Sequence, residues 1–161
     1  MKFILLIISS VLFVGTSLAD DEPAGVWFAK YGQSRQTNES KFVAKSSSIA
    51  DLVTASAQRH NVPARIAHAV VKVESGYNCR ARSHAGAVGI MQTLPATARS
   101  VGITGSLTNC AIGLEAGMRY LAQIVRSHGT SCAAVSLYER GAYARPVCTN
   151  YGRKIILLAS R

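Results

Sequence analysis

From Ser48 onward the apolar residues recur at helical spacing, and no run alternates convincingly as a strand. Ile49, Leu52, Val53 and Ala57 fall at i, i+3, i+4 and i+8, one face of a helix. Asn61-Val62-Pro63 breaks that helix and starts another, because proline suits a first helical turn. Ile66, Ala67, Val70 and Val73 line one face of the second helix, and Glu74 continues that face before Ser75-Gly76 ends it. A short helix is expected over 95–101. A longer one is expected over 110–125, with Ile112, Ala116, Tyr120 and Ile124 in register. Two more are expected over 133–138 and 151–159. The pattern contains no internal repeat, and the fold class it predicts is mainly α.

The first 19 residues read as a targeting segment. Lys2 supplies a charged start, Phe3 to Val14 is almost continuously apolar, and Ser17-Leu18-Ala19 offers small residues before a cut ahead of Asp20. The apolar run is short for a membrane span, which takes about 20 residues. The expected location is therefore periplasmic or secreted. Residues 20–48 read as a flexible leader, polar and without period over Gln33 to Ser40, with Trp27, Phe28 and Tyr31 as its aromatic residues. A single domain is expected over 49–161.

Export changes how Cys79, Cys110, Cys132 and Cys148 read. Four cysteines in an oxidising compartment suggest two disulfides, with three connectivities open. The sequential staples Cys79–Cys110 and Cys132–Cys148 are favoured, each worth about 3 kcal/mol by loop entropy. There is no CxxC, and no histidines follow at zinc-finger spacing. Aspartate occurs only at 20, 21 and 51, which argues against a carboxylate-rich cation site. No phosphate-binding glycine motif occurs. The sequence gives no sign of a metal or other cofactor.

Charge points to the partner. Lys and Arg number 18 against 8 Asp and Glu, a formal net charge of +10. Such a chain is drawn to polyanions, and the attraction weakens with salt. An exported chain without a nucleic-acid motif is not expected to bind nucleic acid.

The chemistry centres on Glu74. A carboxyl on the apolar side of a helix end is partly desolvated, which favours its protonated form and suits a general acid for glycosidic cleavage. Gly86-Ala87-Val88-Gly89-Ile90-Met91-Gln92 follows, a glycine-spaced loop ending in a side chain that donates and accepts. A two-carboxylate hydrolase needs a second acid at a defined distance. Beyond Glu74 only Glu115 and Glu139 remain. Glu115 has Arg119 at i+4 and reads as a surface pair. Glu139 either pairs with a nearby cation, the favoured reading, or sits in the groove, where it raises the proton affinity of Glu74 or acts as a base for water.

Several motifs in order resemble one family. They are Glu74-Ser75-Gly76-Tyr77, Ser83 through Gln92, Leu94-Pro95-Ala96-Thr97-Ala98, Asn109 through Ile112-Gly113 to Tyr120-Leu121, Ala133 through Gly141, and Tyr151-Gly152-Arg153-Lys154-Ile155. Together they look like the soluble, goose-lysozyme-related lytic transglycosylases. The resemblance implies a lysozyme-like domain acting as a monomer on peptidoglycan strands. Such an enzyme cleaves the β-1,4 bond between N-acetylmuramic acid and N-acetylglucosamine and leaves a 1,6-anhydro end. Glu74 would be the catalytic acid, Ser83, Gly89, Met91 and Gln92 would bind substrate, and Tyr138 would place its hydroxyl beside the acid. The family usually has Asn where this chain has Glu139, so a lysozyme-type hydrolase using Glu139 is the alternative. An inactive wall-binding module is a third reading. The small size is similar to that of enzymes that open the wall for a secretion or conjugation complex.

Overall fold

The computed structural model describes residues 48–161. The targeting segment, the cut before Asp20 and the leader aromatics Trp27, Phe28 and Tyr31 lie outside the described residues. Seven helices follow one another within them: α1 Ile49–Arg59, α2 Ala64–Glu74, α3 Pro95–Ser100, α4 Cys110–His128, α5 Cys132–Val135, α6 Leu137–Arg140 and α7 Asn150–Ala159. No sheet occurs among the described residues. Two isolated bridges, Arg82 with Val88 and Val88 with Thr93, fold the glycine-rich loop back on itself. The mainly helical class read from periodicity is the one observed.

Local chemistry sets the helix ends. Ser48 Oγ accepts from Asp51 N at 3.1 Å and Asp51 Oδ2 accepts from Ser48 N at 3.0 Å, a reciprocal box that starts α1. The Pro63 carbonyl accepts from Ile66 N and Ala67 N to open α2. Asn109 Oδ1 accepts from Ala111 N and Ile112 N and caps α4. Its 19 residues, the longest helix of the described part, bury Leu114, Met118, Leu121 and Ile124 on one face.

Helix α2 packs most extensively against α7 and next against α1. Val70, Val71, Met91, Met118, Leu137 and Ile155 are fully buried at the centre of the main core. A smaller second cluster joins Ala98, Leu107 and Ala116. Two expectations need correction. Ile49 and Leu52 are 39% and 38% exposed, because α1 is covered only where α2 and α4 reach Val53, Ser56 and Ala57. The helix expected over 133–138 divides at Ser136. There the buried Ser136 hydroxyl donates to the Cys132 carbonyl at 2.7 Å and accepts from Thr149 N at 3.1 Å.

Both disulfides have the sequential pairing, Cys79–Cys110 and Cys132–Cys148. The first closes a loop carrying the glycine-rich segment onto the start of α4. The second ties α5 to the segment that leads into α7.

Candidate active site

Glu74 is the last residue of α2, and its carboxyl meets the first turn of α7, where the Tyr151 hydroxyl donates to Glu74 Oε1 at 2.6 Å. Burial raises the carboxyl above its usual range. The Tyr151 bond opposes that rise, and the negative charge of Glu139 adds to it. The next residue anchors the site: Ser75 Oγ donates to the Ile90 carbonyl at 2.7 Å, fixing the end of α2 to the glycine-rich loop.

The other predicted residues fall in three places. Gln92, Tyr138 and Glu139 line one cavity of about 200 Å³, together with Thr97, Tyr120 and Arg140. Gln92 is half-buried and donates from Nε2 to the Gly89 carbonyl at 2.9 Å. Ser83 sits apart at the exposed tip of the loop, where its Oγ accepts from Ala87 N at 3.0 Å. Met91 and Gly89 are buried. The Met91 side chain, expected in the groove, is instead fully enclosed in the core, and its carbonyl accepts from the Tyr138 hydroxyl at 3.0 Å. Gly89 allows a close approach, but to the Leu107 carbonyl rather than to open space.

Tyr138 lies tilted on Tyr120, with ring centroids 5.4 Å apart. Burial first, then the charge of Glu74, pushes its hydroxyl well above the ordinary phenol range, so it remains a neutral donor. A Cβ at Gly117 would stand 2.3 Å from Met91 Cβ and 2.9 Å from the Tyr138 hydroxyl, so only glycine lets these groups settle against α4.

The remaining carboxylates sort by partner. Asp51 caps α1. Glu115 accepts from Arg119 Nε at 2.8 Å and from His60 Nε2 at 3.0 Å. Burial works against the charge of Glu115, but these bonds outweigh it and hold the carboxyl below its usual range. Glu139 does not take the expected cation. The ion pairs among the described residues both involve Glu115, and Glu139 Oε1 instead accepts from the Thr149 hydroxyl at 2.6 Å. Arg140, next along the chain, donates from Nη1 to the Arg145 carbonyl. Among the described residues no group of three His, Cys, Asp or Glu could hold a metal ion.

The model of the transglycosylase SLT domain matches residues 51–153, which takes in all of this geometry. The chain belongs to the transglycosylase SLT family. A transglycosylase of Enterobacteria phage PRD1 is 39% identical over 56 residues, 35% of this chain and 21% of the phage protein. The chain thus matches about a fifth of that relative's length. The helical fold and both disulfides agree with the lysozyme-like architecture that the motifs implied.

Within this SLT domain, Tyr151 is the contact that sequence reading missed. It lies 77 residues from Glu74, and the only sign of it was an aromatic on the same face as Ile155 in the last helix. Its bond favours the charged carboxylate. Tyr151→Phe is therefore expected to raise the proton affinity of Glu74 further and to move the alkaline limb of the activity profile to higher pH. Rates measured across pH for both proteins check this, and an unmoved limb would show that the bond does not set the acid's titration.

Proposed function

We propose that this chain is an exported peptidoglycan lytic transglycosylase. It cleaves the bond between N-acetylmuramic acid and N-acetylglucosamine and leaves a 1,6-anhydro-N-acetylmuramic acid end. The observation that carries this reading is Glu74, a carboxyl whose proton affinity burial raises, at the end of a buried helix face with Oε1 held by Tyr151. Oε2 is then left to carry the proton. Glu74 gives that proton to the glycosidic oxygen as the C1–O bond breaks. The resulting carboxylate takes the proton of the muramoyl C6 hydroxyl, whose oxygen bonds to C1. The acid is restored and no water is consumed, so a single carboxyl serves both halves of the reaction. Tyr138, Glu139 and Gln92, around the adjoining cavity, orient the sugar chain.

Family membership, the net charge of +10 and the carboxylates of the wall support peptidoglycan as substrate. The apolar run from Phe3 to Val14 and the two disulfides support export. A hydrolytic second reading rests on Glu139, whose charge reaches Glu74, but its oxygen is already engaged by Thr149. Digestion of purified peptidoglycan decides between them. Fragments one water lighter, with anhydro ends, are expected. Reducing ends would assign the reaction to hydrolysis, and binding without products would mark an inactive wall-binding module.

A further inference from the structure

A second cavity among the described residues is larger than the one lined by Gln92 and Tyr138. It holds about 430 Å³ and lies across α3 from the cavity of Gln92 and Tyr138. Pro95, Ala98 and Arg99 of that helix face the larger space, while Thr97 faces the smaller. The floor is apolar, built from Val88, Ala98, Ile103 and Leu107 of the second core cluster. Arg82 and Arg99 also line it, and both are exposed. Neither guanidinium has a hydrogen bond or an acidic partner among the described residues, where both ion pairs belong to Glu115.

An apolar floor beside two unengaged guanidiniums suits a short ligand with small apolar side chains and a free carboxylate. A neutral apolar ligand would leave both cations unmatched. A sugar ring alone would leave the floor unmatched. Guanidinium binds carboxylate through paired, charge-assisted hydrogen bonds, which makes arginine suited to such a group. The cavity stands one helix away from the proposed glycan path.

We propose that this cavity binds the stem peptide of peptidoglycan, with alanyl methyl groups on the floor and a peptide carboxylate at Arg82 and Arg99. The assignment rests on the transglycosylase reading for its substrate. It makes the cavity a specificity site that recognises the branch while Glu74 acts on the backbone.

The test compares full-length protein with the double variant Arg82→Gln, Arg99→Gln on two substrates. One is peptidoglycan with its peptides, and the other is the same glycan freed of them by an amidase. Losing both charge-assisted contacts is expected to lower kcat/KM on the peptide-bearing substrate by about tenfold or more. The rate on bare glycan should match the parent's. An equal loss on both substrates, or none on either, overturns the proposal. A parent protein that cuts neither substrate defeats the catalytic reading instead, and binding then decides the cavity. Titration with a synthetic stem pentapeptide should shift the methyl resonances of Val88, Ala98, Ile103 and Leu107 in the parent and not in the double variant. No shift in the parent at millimolar peptide overturns the assignment.

Discussion

Glu74→Gln is expected to lower peptidoglycan cleavage by about 10³-fold while leaving the fold intact, the scale on which a positioned general acid acts. Gln keeps the shape and an oxygen to accept from Tyr151, but it carries no transferable proton. The same substitution should make the protein more stable near neutral pH. Burial raises the folded-state titration of Glu74 above its unfolded value of 4.5, so the native chain holds the proton more tightly than the unfolded one. Stability contributed by this group is complete below 4.5 and declines as pH rises through the raised value. The gain from Gln should therefore be absent at low pH and grow toward neutrality. Thermal midpoints of both proteins across pH check this, and parallel curves would mean that Glu74 is not strained by its burial. Wall clearing that survives the substitution would remove Glu74 from the role of acid.

Gly89→Ala should destabilise the fold by about 4 kcal/mol, combining left-handed strain with overpacking. Gly89 has φ +86°, and a Cβ there would lie 2.1 Å from the Leu107 carbonyl oxygen. That oxygen is already seated against Gly113 of α4, where a built Cβ would lie 2.3 Å from it. The carbonyl occupies a slot between two glycines, and a methyl on either side displaces backbone. Gly86→Ala is the internal control. Gly86 has φ +82° but nothing within 4 Å of a built Cβ, so only strain remains, about 1 kcal/mol. Denaturant unfolding of the two variants separates the contributions. Equal losses would show that the loop shifts to admit the methyl at Gly89.

The helices are legible in the sequence because their signals are local. Pro63 marks the start of α2, and the spacing of Ile66, Val70 and Glu74 is enough to put Glu74 at the end of a buried face. The order of motifs carries the family. Contacts between distant segments have no period to betray them. Tyr151 reaches Glu74 and Thr149 reaches Glu139 through packing of α7 against α2 and α5. Met91 stands beside Gln92 in a loop, where adjacent side chains take unlike surroundings, one enclosed and one half-buried. Ile49 and Leu52 repeat the periodicity of a core face, but periodicity does not say where the covering helices stop.

The bridges Cys79–Cys110 and Cys132–Cys148 span 31 and 16 residues of sequence. Gln92 belongs to the first covalent loop, Tyr138 and Glu139 belong to the second, and Glu74 and Tyr151 lie just outside them, five and three residues from a bridged cysteine. A newly made chain with free thiols must order both loops against their full entropy. The bonds that staple the fold thus also act on its timing. They favour the assembled arrangement around Glu74 once oxidation has occurred, so the order of this region is coupled to the redox state of four thiols.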